Sequence, residues 1–302
     1  STSRGLGDVY KRQYVIDSVQ NKGYRITEYP DIITASEIES LLLDDSGNMQ
    51  GICRHIQYFD KTDSTNNQAK LAAEKNAPDG TLFVAECQTG GRGRRGKTWE
   101  SPAGSGIWMS LLLRPDISPE SASMLTLVLA VAMVDAINEE VQDAKCYVKW
   151  PNDIVLNNRK ISGTLTEMSA EMDSIHYVVI GIGINVNTTD FDESIKDMAT
   201  SIYLGTGKKV KRSNIIAAFS HSFKKYYEAF LKTQDLTYIV DRYNELLINK
   251  GRTVKAIYAN KELVGEALGI NKDGELIIKT EDGCETAIRA GEVSVRGLYG
   301  YV

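Results

Sequence analysis

The chain has 302 residues, of which 42% are hydrophobic and 25% charged, and its formal net charge is −5 at pH 7. The length allows more than one hydrophobic core, and the acidic balance excludes the bulk basicity of a protein that coats nucleic acid. The longest apolar run, residues 124–134, is too short to cross a bilayer, and no signal peptide opens the sequence. We therefore expect a cytoplasmic protein without membrane contact.

The cysteines and histidines are too few and too scattered to indicate a metal centre. The four cysteines lie far apart without a C-x-x-C pair, and there are three histidines. Reduced, unpaired thiols are expected, and the side chains alone suggest no metal site.

The first 50 residues divide into two segments. Residues 1–13 show no hydrophobic period, and DVYKRQ within them resembles the translation of an adapter used in sequencing libraries, so an artefact or disorder is predicted. Residues 14–26 alternate apolar and polar side chains around an Asn-Lys-Gly turn, which predicts a β-hairpin. This hairpin is either the wing of a winged helix-turn-helix or a simple lead into the next domain. Residues 36–43 predict a linker helix that completes a unit at 14–50.

Residues 52–248 mix predicted strands and helices, as in an α+β domain. Helices are predicted at 64–76, 118–141, 213–232 and 236–248, and strands at 82–85, 107–113, 146–149, 161–168 and 177–184. We expect a central mixed sheet flanked by helices. The helix from Ser118 is apolar nearly all round, which predicts that it lies buried.

Beyond Gly251 the pattern changes to short strands separated by tight turns at 272–274 and 281–283. This spacing predicts a small β-barrel domain at residues 250–302. Its predicted interior consists of Val254, Ile257, Leu268, Ile277 and Ile288.

The segment 88–114 is cationic and glycine-rich and lies between two apolar strands, which predicts an anion-binding loop. Residues 91–98 satisfy both G-x-G-x-x-G and G-x-x-x-x-G-K-T, but each pattern needs a helix at the glycines, and a strand-like run follows instead. These patterns are typical of a P-loop, which is one alternative for this segment. A second alternative is a basic surface patch that binds nucleic acid. Glycine spacing favours a small-molecule clamp, because the backbone can approach a ligand while forked guanidinium groups bind its carboxylate or phosphate. These groups are Arg92, Arg94 and Arg95.

Five short motifs follow one another along the chain. They are Asp63-Ser64-Thr65-Asn66, GRGRRG at 91–96, Lys149-Trp150-Pro151-Asn152-Asp153, Lys160-Ile161-Ser162-Gly163 and GIGINV at 181–186. In this order and spacing they resemble the motifs of biotin protein ligases, and the likeness covers about residues 52–302. The resemblance implies a biotin/lipoate-ligase-like catalytic domain and an SH3-like barrel.

The same resemblance extends to bifunctional ligases that also repress transcription through an N-terminal winged helix-turn-helix. The recognition helix of that domain would precede residue 14, so the resemblance implies a truncated DNA-binding domain and puts DNA binding by this chain in doubt. The implied reaction activates biotin with ATP as biotinyl-5′-AMP and then transfers biotin to a lysine of a biotin carboxyl carrier protein. ATP and Mg²⁺ are the implied cofactors, and a ligand-dependent homodimer is implied by the repressing relatives.

The resemblance also assigns roles to individual residues. For biotin binding it implies Ser64, Thr65, Asn66, Gln88, Gly91, Arg92, Gly93, Arg94 and Lys160. For ATP binding it implies Arg94, Arg95, Lys97, Trp99, Lys149, Asn152, Asp153 and Asn185. The implied catalytic groups are Arg94, Lys149, Lys160 and Asp153. Asp153 either helps to hold Mg²⁺, which would bind mainly through the ATP phosphates, or orients the incoming lysine.

Two further functions compete with the ligase. A repressor without ligase activity predicts salt-sensitive DNA binding. A lipoate or octanoate transferase would share a buried lysine, but it is not expected to carry GRGRRG together with KWPND. Lys160 could also be an ordinary edge-strand lysine, and Asn185 could merely cap a turn.

Overall fold

The computed structural model describes residues 15–19, 23–28, 30–172, 174–258, 261–290, 294–297 and 301–302. The described strands are β1 (Val15–Val19), β2 (Gly23–Glu28), β3 (His55–Phe59), β4 (Thr81–Ala85), β5 (Gly106–Leu113), β6 (Tyr147–Lys149), β7 (Asp153–Leu156), β8 (Arg159–Ala170), β9 (Ile175–Asn185), β10 (Thr253–Tyr258), β11 (Lys261–Ile270), β12 (Leu276–Lys279), β13 (Glu285–Ile288) and β14 (Ser294–Gly297). The described α-helices are α1 (Ala35–Leu42), α2 (Thr65–Ala73), α3 (Pro119–Ala122), α4 (Leu125–Glu140), α5 (Ile202–Thr206), α6 (Arg212–Thr233) and α7 (Val240–Leu246).

A seven-stranded mixed sheet forms the centre of the molecule, as predicted. Its strand order is β3-β4-β5-β9-β8-β7-β6. Strands β3 and β4 are parallel, and every other neighbouring pair is antiparallel. The parallel pair requires a crossover connection, and α2 supplies it.

One face of this sheet is covered by a helical layer. Helix α4 contacts strands β6, β7 and β8, while α6 packs on α4 and α1 packs on α6. On β9, alternate side chains such as Val178 and Ile180 are fully buried against this layer. The segment Pro119–Glu140 is long and apolar enough to cross a membrane, but 72% of its most apolar window lies inside the protein. It therefore serves as a core helix, which confirms the expected burial.

The opposite face of the sheet is covered over only part of its length. Helix α2 packs there on β4, β5 and β9, where it buries Tyr177 and Val179 of β9. Farther along the same face of β9 the side chains become small or polar, at Gly181, Gly183 and Asn185. The sheet surface beyond α2 is thus left open as a cleft.

The predicted helix from Ser118 is confirmed at its start but is interrupted. The Ser118 hydroxyl accepts a hydrogen bond from the Ser121 amide at 3.3 Å and caps α3. Ser123 and Met124 keep helical backbone angles, but the bonds there run to the third preceding residue, and the Ser123 hydroxyl donates to the Glu120 carbonyl at 3.1 Å. Helix α7 is shorter than the predicted span 236–248.

Residues from Gly251 onward form a separate antiparallel sheet of order β13-β12-β11-β10-β14, consistent with an SH3-like barrel. The prediction of its interior is partly wrong. Val254 and Ile288 are buried, whereas the other three predicted residues are only half-buried. Those three are Ile257, Leu268 and Ile277. The interior is completed mainly by Ala256, Ala267, Leu276 and Ile278.

The barrel is joined to the turn between β6 and β7. The Trp150 indole donates to the Gly274 carbonyl at 3.1 Å, and its backbone amide donates to Asn249 Oδ1 at the same distance. The Ile248 amide also bonds the Val148 carbonyl at 2.9 Å. The barrel therefore fixes one wall of the cleft.

The predicted N-terminal hairpin and linker helix are present as β1–β2 and α1. The tip of the hairpin at 20–22 and the segment 1–13 lie outside the described residues, and the winged-helix interpretation stays a prediction. The linker is anchored by Asp31, whose carboxylate accepts from the buried guanidinium group of Arg212 at 2.9 Å. Arg212 also binds Glu86 at 2.8 Å and so connects the linker to the end of β4.

Candidate active site

A cleft of about 1150 Å³ lies on the sheet face that α2 leaves open. Its walls are the arginine loop (residues 91–99), the β6–β7 turn, the segment 188–199 and three barrel-domain residues, Val295, Arg296 and Tyr301. Of the residues predicted for the site, all except Gly91 line this cleft. Five motifs that are distant in sequence are therefore brought to one place.

The cleft floor consists partly of glycines whose missing side chains create its volume. A Cβ atom at Gly181 would lie 2.1 Å from Asn66 Oδ1, and one at Gly183 would lie 2.4 Å from Trp99 Nε1. At Gly163, a Cβ would lie 3.0 Å from Lys160 Nζ. Sequence analysis noted these glycines as motif letters and missed their role as the floor.

A polar pocket lies at the N-terminal end of α2, where Ser64, Thr65 and Asn66 are all buried. The Thr65 amide donates to Gln88 Oε1 at 2.8 Å, and the Thr65 hydroxyl oxygen lies 3.1 Å from the same atom. Gln88 Nε2 in turn donates to the Ser101 hydroxyl at 2.9 Å. The pocket thus presents hydroxyl and amide groups held in fixed orientations.

The arginine loop folds as a narrow hairpin. The Trp99 amide bonds the Gly91 carbonyl at 2.9 Å, and the Gly93 amide bonds the Lys97 carbonyl at 2.7 Å. A single 3₁₀ turn spans Arg94–Gly96, and after it the chain runs through turns and bends into β5. No α-helix follows the glycines in the fully described stretch 91–113, so the P-loop alternative is wrong.

Gly91 contributes to packing rather than to the cleft surface. A Cβ atom there would lie 2.3 Å from the Trp99 carbonyl oxygen and 2.8 Å from the Ser101 hydroxyl. A larger residue would therefore separate the two sides of the hairpin.

Two arginines of the loop are fixed by asparagines on opposite sides of the cleft. Arg92 Nη2 donates to Asn67 Oδ1 at 2.5 Å, and Arg94 Nη1 donates to Asn152 Oδ1 at 2.9 Å. Asn152 Nδ2 donates to the Thr164 carbonyl at 2.9 Å, which fixes its amide. Burial lowers the pKa of Arg94, but an arginine remains charged at any ordinary pH.

A cluster of charged groups lies beside Arg94. Lys160 Nζ pairs with Asp153 Oδ1 at 2.6 Å, and the Tyr301 hydroxyl donates to Asp153 Oδ2. Lys149 Nζ lies 3.4 Å from the centroid of the Tyr301 ring. Burial lowers the pKa of Lys149 to about 8, although nearby Asp153 raises it. Tyr301 was missed by sequence analysis because the fold of the barrel domain brings it here.

Trp99 lies over the glycine floor. Its ring centroid is 5.3 Å from Lys160 Nζ and 6.5 Å from the Trp108 ring, which it meets edge to face. Among the described residues, Trp99 Nε1 is buried without a hydrogen-bond partner. A buried donor of this kind is suited to an acceptor atom of a ligand.

The residues fit a magnesium ion only if the ligand brings most of its coordination shell. No group of three His, Cys, Asp or Glu side chains suited to a metal occurs among the described residues. Both oxygens of Asp153 already have partners in Lys160 and Tyr301. Asp153 therefore fits an orienting role better than that of a principal metal ligand.

Comparison with known proteins shows that similarity to one family covers most of the chain, beyond the residues of the cleft. Residues 58–185 match the biotin/lipoate A/B protein ligase family, and residues 251–296 match the biotin protein ligase C-terminal domain. The bifunctional ligase/repressor BirA of Bacillus subtilis is 40% identical over 280 residues, which cover 92% of this chain and 84% of that protein. The chain belongs to the biotin protein ligase family.

Other family members agree with this assignment. The biotin--[acetyl-CoA-carboxylase] ligase of Paracoccus denitrificans is 31% identical. The match covers 78% of this chain and 99% of that protein. The structure of the biotin protein ligase from Aquifex aeolicus in complex with biotin and ATP is 30% identical, with a TM-score of 0.71. The match covers 81% of the present chain and 99% of the Aquifex aeolicus chain.

Proposed function

We propose that this chain is an ATP-dependent ligase that activates biotin as biotinyl-5′-AMP and transfers biotin to a lysine of a biotin carboxyl carrier protein. One observation carries the proposal: a single cleft joins a hydrogen-bonding pocket to a cluster of cations. The relatives named as biotin ligases, and the similar structure that holds biotin and ATP, support this function.

The polar pocket fits the ureido ring of biotin. That ring offers two N–H donors and one carbonyl acceptor, and the side chains of Ser64, Thr65, Asn66 and Gln88 supply both hydroxyl and amide groups. A lipoyl or octanoyl group has no such donors and would leave these buried polar groups without partners. The pocket therefore favours biotin over the acyl groups of the related transferases.

The cation cluster fits the activation step. A carboxylate oxygen of biotin attacks the α-phosphorus of ATP, and the bond from that phosphorus to the bridging oxygen breaks as pyrophosphate leaves. Two anions must approach each other, and Arg94, Lys149 and Lys160 are placed to offset their repulsion. Magnesium bound to the phosphates supplies further positive charge when ATP is present.

The transfer step needs an amine nucleophile and protection from water. The ε-amine of the acceptor lysine attacks the acyl carbon of the adenylate, and AMP leaves with the bonding electron pair. In this proposal Asp153 orients the amine and Lys160 stabilises the developing oxyanion, which is supported by the 2.6 Å contact between Lys160 Nζ and Asp153 Oδ1. Trp99 and the arginine loop would cover the adenylate against hydrolysis.

The first test is labelling of a carrier domain by the purified full chain with ATP, magnesium and biotin, detected with streptavidin. Replacing Arg94 by alanine is expected to lower kcat/KM by about 10²–10³-fold, the range for loss of one preorganised charge-stabilising donor. Arg252→Ala, at an exposed barrel-domain arginine outside the cleft, is the matched control and is expected to leave the rate unchanged. Absence of labelling by folded wild-type protein would refute the proposal.

The pH dependence gives a second prediction. Lys149 must be protonated to attract the ATP phosphates, and burial lowers its pKa to about 8, so kcat/KM for ATP should fall as pH rises through about 8. The stability contribution of Lys149 has the opposite sign. Its pKa is lower in the folded chain than in the unfolded chain, where it is about 10.4, so the free energy of unfolding should rise with pH between those values.

The Lys149→Arg variant provides the control for this profile. Arginine keeps its charge, so the decline near pH 8 should be absent from whatever activity the variant retains. A decline at the same pH in Lys149→Arg would assign the titration to another group. A loss of thermal stability above pH 8 in the wild type would attribute the decline to unfolding.

Transcriptional repression is a second candidate function. It is favoured by the β1–β2 hairpin ahead of α1, at the position predicted for a wing, and by relatives named bifunctional ligase/repressor. Gel-shift titration with the DNA upstream of the gene for this protein tests this function. A repressor should bind this DNA more weakly at the higher of two salt concentrations, and the titration is repeated with and without biotin and ATP. The ligand dependence of the protein's mass in solution tests the accompanying homodimer.

A further inference from the structure

Glu167 lies outside the cleft and behind the polar pocket. It occupies the cleft-side face of β8, opposite Val179 of β9. Its Oε2 atom accepts a hydrogen bond from Asn66 Nδ2 at 2.7 Å, and its Oε1 atom pairs with Lys70 Nζ at 2.7 Å. Burial raises the pKa of Glu167, but the bonds from Lys70 and Asn66 outweigh it and leave the pKa below its usual value. Glu167 is therefore a carboxylate at neutral pH.

The carboxylate, with weaker help from the Leu165 carbonyl 3.4 Å from Asn66 Nδ2, determines how the Asn66 amide is oriented. An ionised carboxylate can only accept hydrogen bonds, so the NH₂ group of Asn66 must face Glu167. The carbonyl oxygen of Asn66 then faces the Ser110 hydroxyl, which lies 2.6 Å away. Both side chains are buried, so this orientation is not exchanged with water.

The orientation of Asn66 in turn determines the roles of two hydroxyl groups. Ser110 has one proton and cannot donate to both Asn66 Oδ1 and Thr65 Oγ1. With that proton on Asn66, the 2.7 Å contact to Thr65 requires the Thr65 proton, which is then withdrawn from the longer, 3.1 Å contact with Gln88 Oε1. Gln88 Oε1 still receives the Thr65 backbone amide at 2.8 Å. Thr65, which lines the cleft, is left with an acceptor lone pair for a ligand N–H.

We propose that Glu167 is a positioning residue that sets the hydrogen-bond polarity of the polar pocket, so that Thr65 presents an acceptor to a ureido N–H of biotin. This inference rests on the proposed function. If Asn66 were reversed, its NH₂ group would donate to Ser110, and Ser110 would donate to Thr65 and occupy one of its two lone pairs. The Thr65 proton would then turn to Gln88 or to the ligand, so Thr65 would offer the ligand one lone pair fewer and, in the second case, a donor. A donor facing the ureido N–H would oppose binding.

The Glu167→Gln variant tests the proposal because it keeps the size of the side chain. The new amide can donate to Asn66 and so permits the reversed orientation. We expect the Kd for biotin, measured by calorimetry on the full chain without ATP, to rise about tenfold, the size of a lost buried hydrogen bond. The KM for biotin should rise in parallel, while the KM for ATP and kcat at saturating biotin should stay within about twofold.

Two variants separate polarity from a purely structural role. In the double variant Asn66→Asp with Glu167→Gln, the acceptor-only group is moved to position 66, so Ser110 must again donate to it, and the Kd should return towards the wild-type value. Lys70→Met removes the part-buried ion pair but keeps the carboxylate and its bond to Asn66, and the Kd should change less than about twofold.

The outcomes distinguish this inference from the proposed function. Wild-type protein that does not bind biotin would refute the proposed function and this inference with it. If wild-type protein binds biotin and Glu167→Gln binds it within twofold, only the inference fails. It also fails if the double variant binds as weakly as Glu167→Gln, whatever the thermal stability of the two proteins.

Discussion

Replacing Lys160 by alanine is expected to reduce kcat/KM for carrier biotinylation by at least about 10³-fold. Its Nζ atom lies 2.6 Å from Asp153 and beside the Trp99 ring, in the part of the cleft where the biotin carboxylate and the α-phosphate would meet. Removing Lys160 takes away a cation used in both steps and leaves the part-buried Asp153 carboxylate without its charged partner. Steady-state rates with varied biotin and ATP measure the loss.

Two further variants define what the Lys160 position requires. Lys160→Arg should recover little activity, because Nζ lies between Asp153, 2.6 Å away, and the Trp99 ring, so the larger guanidinium group cannot take the same position. Lys208→Ala breaks a comparable lysine–aspartate pair at the surface, with Asp143, and should leave the rates unchanged. The sequence alternative of an edge-strand lysine is wrong, because β8 lies between β9 and β7. Lys160→Ala activity within tenfold of wild type would show that Lys160 is an ordinary structural lysine on this inner strand.

Replacing Gly183 by alanine is expected to raise the KM for ATP by about 10- to 100-fold. The new Cβ would lie 2.4 Å from Trp99 Nε1, so the indole must move and occupy part of the cleft. An insertion of this kind into a packed site costs about 1–3 kcal/mol, which corresponds to that range of affinity. Initial rates at varied ATP and saturating biotin measure it.

The matched control is Ile180→Val, on the same strand but facing the helical layer. It should lower the free energy of unfolding by about 0.5–1.5 kcal/mol and leave both KM values unchanged. An unchanged KM for ATP in Gly183→Ala would mean that Trp99 has room to move without obstructing the nucleotide.

The alternation of β9 shows how much of the site could be predicted from sequence. Val178 and Ile180 face the core, so their neighbours Val179 and Gly181 must face the other side. The change from Val179 to glycine along that face marks where the covering helix ends and the cleft begins. This signal was present in the sequence, although the glycines were taken only as part of a motif.

Other features depend on pairing that no local pattern specifies. Ser110 and Leu165 reach the same row of the sheet because each pairs with Gly181 from opposite sides. This register brings Ser110 and Glu167, from separate strands, to the same Asn66 side chain. The sequence contains these residues but gives no reason to group them.

The errors in the predicted barrel interior have a local cause. Val254 and Ile257 are three residues apart, so on a regular strand they point to opposite faces, and the inner positions go to Val254 and Ala256. A register shift between Ala267 and Gly269 removes Leu268 from the regular alternation. Hydrophobicity alone favoured the larger residues, whereas the small interior accepts alanines.

The contact between Tyr301 and Asp153 has a practical consequence for anyone who handles this protein. A peptide joined directly after Val302 would begin two positions after Tyr301, whose hydroxyl group donates to the Asp153 carboxylate. An affinity tag or fusion partner placed there would therefore begin next to a residue that lines the cleft, and we expect it to compete for space with a carrier protein that docks there. Purification handles belong at the opposite end of the chain, and kinetic constants from C-terminal fusions should be compared with those of the untagged protein.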